Sequence, residues 1–175
     1  MVKASRAARA PRDWIQTPIF VYGTLRNGER NYMRLLCGFT VSEFPAQLDQ
    51  AQLFSLGSFP ILVDAPESNA VVHGECLILH PAAYSRLLNE LDYLEGYNPL
   101  AEARGEMSLY RRERRKIRLT GGAEAMAWVY VGNHAMLRTL PHQLIAGGDW
   151  VQHQNQQAGA VRRPLFYAPR HISDN

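Results

Sequence analysis

SLYRRERRKIRLTGGAEAMAWVYV, residues 108–131, holds two β-prone runs on either side of Gly121-Gly122. Branched and aromatic residues populate both arms, and the glycine pair tolerates the positive φ angles of a tight reversal. The stretch therefore predicts a hairpin with arms at 108–119 and 124–131, and so short a connection fixes the pairing as antiparallel. Along the first arm Tyr110, Arg112, Arg114, Lys116 and Arg118 fall on one face. Four cations on one face read as solvent-facing; attraction of an anionic substrate or of RNA is the alternative.

Upstream of the hairpin lies PAAYSRLLNELDYLEG, residues 81–96. Pro81 suits a first helical turn and Gly96 suits a helix end. At 3.6 residues per turn, Tyr84, Leu87, Leu88, Leu91 and Leu94 form one stripe, with Ser85, Arg86, Asn89, Glu90 and Tyr93 opposite. Glu95, four residues after Leu91, lies inside the apolar stripe. Burial and the negative end of the helix dipole both disfavour an ionised carboxylate there. Two outcomes are open. Either the helix frays so that Glu95 turns to water or pairs with an arginine, or its carboxyl stays at the edge of the core with a raised pKa, as a general base requires. Asp92, at the margin of the stripe, reads as a capping or loop-binding acid.

Farther upstream, AVVHGECLIL at 70–79 is the clearest β run, residues 48–56 alternate loosely as a strand closed by Gly57-Ser58-Phe59-Pro60, residues 29–36 suggest a short helix and residues 14–21 a first strand. Residues 98–106 read as a polar loop. Strands outnumber helices and the helices are inserted singly, so the expected class is α+β: a compact mixed, mostly antiparallel, barrel-like sheet with flanking helices. Strand and helix do not alternate regularly, which argues against a doubly wound nucleotide-binding fold. One domain over 14–155 is expected, between a basic tail at 1–13 and an irregular tail at 156–175.

Hydrophobic residues make up 46% of the 175 residues and charged ones 20%, which excludes a disordered chain. The net charge of +3 is carried by arginine, since Lys3 and Lys116 are the lysines, and several arginines lie near the ends. The central region is closer to neutral, so a nucleic-acid role is not expected. Cys37 and Cys76 have no paired spacing for a disulfide framework or a zinc knuckle. His73 and Cys76, three apart in a strand, fall on opposite faces, so no metal site is expected there. No apolar signal core and no window near 20 apolar residues occur, and the cytoplasm is the expected compartment. A G-x-S-x-G nucleophile motif is absent.

Several segments occur together in an informative order: YGTL at 22–25 after the first strand, LGSFPILV at 56–63, VVHGEC at 71–76, LDYLEGY at 91–97, SLYRR at 108–112, AWVYV at 127–131 and GGDW at 147–150. Over roughly residues 17–152 this set resembles the gamma-glutamylcyclotransferase-like family, which includes the gamma-glutamylamine cyclotransferases. The resemblance implies a pocket between the YGTL loop and the helix end at Glu95-Gly96. It further implies Glu95 as the acid/base, and Tyr22, Gly23, Thr24 and Leu25 as the cradle for a gamma-glutamyl group, with Tyr110 as a further lining residue. Gly23 is expected to let the substrate approach the main chain, and the loop entering the 29–36 helix to offer donors to an anion. The implied reaction uses no cofactor and no metal: the substrate's α-amine attacks its own γ-carbonyl, releasing 5-oxoproline and an amine or peptide. Asp149-Trp150 is assigned to packing and capping. A non-catalytic member of the same fold, binding a small ligand or a partner, is the alternative function.

Overall fold

Eight strands and five helices make up residues 16–161, the part of the chain that the computed structural model describes. The strands are β1 (Ile19–Val21), β2 (Thr40–Asp49), β3 (Ala51–Ser55), β4 (Pro60–Asp64), β5 (Val71–Leu79), β6 (Tyr110–Leu119), β7 (Glu124–Gly132) and β8 (Gln143–Leu144). The helices are α1 (Arg30–Leu35), α2 (Tyr84–Glu95), entered through a 3-10 turn at Pro81–Ala83, α3 (Pro99–Ala103), α4 (His134–Leu137) and α5 (Trp150–Val161). Five strands close a barrel in the order β1-β5-β2-β6-β7, and β4-β3-β8 form a second, smaller sheet. Within the barrel only the β1–β7 closure is parallel, at Ile19 opposite Trp128. The expected barrel-like, mostly antiparallel α+β architecture is thus the one observed.

The wall of this barrel is apolar on both sides because its strands bury alternate residues in two different cores. Phe20, Cys76, Ile117 and Val129 point inward, where Trp150 of α5 joins them at 1% exposure. Ile19, Leu77 and Tyr130 point outward into a second core that Leu87 and Leu91 of α2 complete. The leucine stripe of α2 therefore seats on the outside of the barrel. Asp149 caps α5, its Oδ1 accepting from Gln152 N at 3.1 Å.

The hairpin register runs from Tyr110 opposite Gly132 to Arg118 opposite Glu124. Other expectations need correction. Strand β1 begins at Ile19, and residues 14 and 15 lie outside the described part. The single strand expected at 48–56 is the corner between β2 and β3, broken at Gln50, whose φ of 56° ends one strand and starts the next. Strand β4 is buried on both faces from Pro60 to Val63, so it has no alternation to reveal it. The loop expected at 98–106 contains α3, where Asn98 Oδ1 accepts from Leu100 N and Ala101 N ahead of Pro99. Helix α5 extends to Val161, into the stretch read as an irregular tail; the rest of that tail, and the basic tail at 1–13, lie outside the described residues. Among the described residues no helix is long and apolar enough to cross a membrane, and no group of three His, Cys, Asp or Glu side chains could hold a metal ion.

Candidate active site

Helix α2 ends in a way that fixes Glu95. Gly96 takes the left-handed conformation at φ 65°, its N–H reaches Tyr93 O at 3.2 Å, and Tyr97 N reaches Asp92 O at 2.9 Å. This 6→1, 5→2 pair is the Schellman closure that an αL glycine permits. The helix does not fray, and the apolar stripe carries Glu95 toward the barrel wall rather than to bulk water. There the carboxyl lines a cavity of about 480 Å³ together with Tyr22, Gly23, Thr24, Leu25 and Tyr110. The residues that the family resemblance implied are thus brought together in space.

Burial is what acts on the Glu95 carboxyl: it pushes the pKa from 4.5 up to about 7. No described residue hydrogen-bonds to it or pairs with it. Its surroundings are phenols. Burial raises the pKa values of Tyr22, Tyr110 and Tyr130, and the charge of Glu95 adds to the rise in each case. All three hydroxyls stay protonated and act as fixed donors: Tyr22 Oη to Tyr130 O at 2.7 Å, Tyr110 Oη to Pro60 O at 2.9 Å and Tyr130 Oη to Asp92 Oδ1 at 2.8 Å.

The YGTL loop lines the same cavity, and two of its carbonyls are engaged within the loop and α1. Gly23 O accepts from Arg26 N at 2.9 Å, and Thr24 O accepts from Asn31 N and Tyr32 N at 3.0 and 3.2 Å. Asn31, buried at the start of α1, also donates through Nδ2 to Thr24 Oγ1 at 2.8 Å. The N–H groups of Gly23, Thr24 and Leu25 find no acceptor among the described residues. Such free main-chain donors suit a carboxylate or a developing oxyanion. They belong to the loop that leads into α1, which starts at Arg30. Ion pairs hold the loop: Arg26 bonds Glu75 at 3.2 Å and Asp149 at 2.9 Å, and Asn27 N donates to Glu75 Oε2 at 2.8 Å.

Gly23 also has a structural role. A Cβ at this position would stand 2.5 Å from Cγ and 2.9 Å from Cδ of Pro60, so the missing side chain makes room for a proline ring. Pro60 is clamped between Gly23 and the Tyr110 hydroxyl, which ties the YGTL loop to β4 and β6. Gly23→Ala is expected to force this contact apart and to destabilise the fold by about 1 to 3 kcal/mol, measurable as a shift in the denaturant midpoint.

Asp92 neither caps the helix nor binds a loop. It accepts from Tyr130 Oη and, at 2.8 Å, from Arg112 Nη1. Burial pushes its carboxyl up, against the pull of Tyr130 and Arg112. Arg112 is consequently not the solvent-facing cation expected from strand alternation: its side chain is 16% exposed and stacks over Trp128 at 4.9 Å. On the same face, Lys116 pairs with Glu124 at 3.2 Å and Arg118 with Asp49 at 2.6 Å. Pro60, Tyr130, Arg30 and Arg34 line the cavity without having been foreseen. The outward parity of Trp128 and Tyr130 in AMAWVYV and the i, i+4 spacing of the two arginines were the available signals.

The family model described as Gamma-glutamyl cyclotransferase, AIG2-like matches residues 19–152. A Vibrio cholerae protein, provisionally named gamma-glutamylcyclotransferase, is 33% identical over 138 residues, which cover 79% of this chain and 98% of the relative. Among solved structures, YkqA from Bacillus subtilis matches with a TM-score of 0.58 at 22% identity, over 82% of this chain and 42% of its own, so the chain spans less than half the length of that protein. A mouse AIG2-like protein matches with a TM-score of 0.53 at 21% identity, over 90% of this chain and 98% of its own. At such identities these two structural likenesses concern the fold.

Proposed function

This chain belongs to the gamma-glutamyl cyclotransferase, AIG2-like family, and we propose that it cyclises a gamma-glutamyl donor to 5-oxoproline with Glu95 as the acid/base. One observation carries this reading: a carboxyl with a burial-raised pKa of about 7 shares a cavity with the unpaired N–H groups of Gly23, Thr24 and Leu25.

The chemistry begins with a proton. The donor's α-amine is mostly protonated near neutral pH, and ionised Glu95 removes one proton to free its lone pair. The amine nitrogen then attacks the γ-carbonyl carbon and closes a five-membered ring. Charge builds on the carbonyl oxygen, where the loop N–H groups stabilise it; losing one such donor typically costs on the order of 100-fold in rate. The C–N bond to the leaving amine breaks as Glu95 returns its proton to that nitrogen, and the ring nitrogen, which still carries two hydrogens, gives one up through the freed Glu95 carboxylate to the departing amine, which leaves as an ammonium. Atoms balance with no water and no cofactor, because the nucleophile is part of the substrate. Clamping the YGTL loop through Arg26 and Asn27 keeps the donors in place before the substrate arrives.

A base whose pKa lies near 7 predicts the pH profile. Glu95 must be ionised to start the reaction, so kcat/KM is expected to fall about tenfold per pH unit below a pKa near 7. An acidic limb near the ordinary carboxyl value of 4.5 would contradict the assignment. The direct test is release of 5-oxoproline from a panel of gamma-glutamyl amines, amino acids and peptides, by the native chain and by Glu95→Gln. Failure of the native chain across the whole panel would end the enzymatic reading.

A further inference from the structure

The mouth of the cavity carries positive charge that the cyclisation itself does not use. Arg30 and Arg34 are one turn apart on α1, line the same cavity as Glu95, are exposed, and have no ion-pair partner among the described residues. Of the residues lining the cavity, Glu95 is the sole acid, so nothing else there answers these cations. A second depression, of about 850 Å³, continues between α1 and α2 and shares Arg34, Tyr93 and Leu94 with the first. It contains Arg86 and Glu90, but these neutralise each other at 2.7 Å, and Arg86 also stacks on Phe39 at 4.9 Å. The two depressions adjoin at Arg34, Tyr93 and Leu94, which line both; the loop and Glu95 line only the first, here termed the inner end, and Arg86 and Glu90 only the second, the outer end.

We propose that Arg30 and Arg34 bind a carboxylate on the departing half of the substrate, so that the preferred donors are gamma-glutamyl amino acids or short peptides rather than neutral or cationic gamma-glutamyl amines. The inference rests on the reading that Glu95 cyclises a gamma-glutamyl donor, and it specifies what that donor carries. The inner end of the site accounts for the glutamyl group, whose γ-carbonyl must reach the loop donors and whose α-amine must reach Glu95. The leaving group then extends along the outer end, past Arg34. Guanidinium groups one turn apart can both reach one carboxylate, and charge-assisted bonds of this kind discriminate against a neutral amide. An ammonium-bearing leaving group without a carboxylate, such as a diamine acylated at one end, would meet like charge there.

Three donors separate the possibilities: gamma-glutamylalanine, gamma-glutamylalaninamide, and gamma-glutamylalanine amidated at the glutamyl α-carboxyl. Each is assayed by 5-oxoproline release from the native chain, and by calorimetric binding to Glu95→Gln, which reads recognition without turnover. The acid is expected to exceed the alaninamide by about tenfold in kcat/KM and in affinity, and Arg30→Gln with Arg34→Gln is expected to reduce that ratio below about threefold. Equal treatment of acid and alaninamide by the native chain would overturn the proposal. So would arginine variants that instead erase discrimination at the glutamyl α-carboxyl, because the cations would then serve the glutamyl half. If no donor releases 5-oxoproline while the acid still binds Glu95→Gln more tightly, in a manner that depends on both arginines, the arginine assignment stands and the catalytic reading falls.

Discussion

Replacing Glu95 by Gln is expected to lower 5-oxoproline release by roughly 100- to 10,000-fold and, in the same protein, to raise folding stability at alkaline pH. The two effects have one cause. Burial raises the carboxyl from 4.5 to about 7 in the folded state. Below about pH 4.5 the group is protonated in folded and unfolded chains alike and contributes nothing. As pH rises through the window between 4.5 and 7, the unfolded chain ionises first, and the folded state loses stability until both are charged. The full deficit above pH 7 corresponds to about 3 kcal/mol at most. Glutamine keeps the shape and removes the charge, so Glu95→Gln should gain that amount at pH 8 and nothing at pH 4. Denaturant titrations of both proteins at the two pH values supply the check. An equal stability difference at both would mean that the carboxyl is well solvated, and would remove the physical basis of its role as a base.

Asp92→Ala is expected to cause the largest loss of stability. It removes the acceptor for Tyr130 Oη and the counter-charge of Arg112 in one step. Both members of the ion pair are largely covered, at 14% and 16% exposure, and orphaning one partner of a covered pair costs about 3 kcal/mol. Nε of Arg112 is already buried without a partner, which leaves that guanidinium poorly placed to compensate. Arg112 stacks on Trp128, so tryptophan emission should shift in the folded state as the stack loosens. Because Tyr130 lines the cavity and accepts the Tyr22 bond through its carbonyl, kcat should fall as well. A loss below about 1 kcal/mol with unchanged emission would show that the network is not cooperative.

Elements whose physics is local were legible in the sequence. The Gly121-Gly122 hairpin, the β run at 71–79 and the glycine stop of α2 follow from residues within a turn or a strand. So did the conflict at Glu95, where an acid occupies a position that helical period assigns to the core. What escaped depends on partners far along the chain. Strand β4 has no alternation because the barrel interior takes Leu62 while the outer core takes Ile61 and Val63. Arg112 looked like one of a row of surface cations, and it is covered by Asp92 of α2, Tyr97 just beyond that helix and Trp128 of β7. The close contact of Gly23 with Pro60 escaped because nothing in the sequence brings the two together. The start of α3 is a different case. Asn98-Pro99 is a cap followed by a first-turn proline, a local signal present in the sequence within a stretch whose polar composition reads as loop.

The barrel closes where β1 meets β7, through one register pair at Ile19 and Trp128 and a bond from Trp128 N to Pro18 O at 2.8 Å. That seam joins strands separated by more than a hundred residues. On the ribosome, β1 and the YGTL loop that follows it emerge early and find β5 on one side, but the neighbour on the other side, β7, is complete only after the chain has been extended to Gly132. Long-range closure of this kind is slow relative to local hairpin formation. Chains in which this seam is still open are therefore expected to lack the proposed activity, and its appearance during refolding would time the final zipping of the barrel.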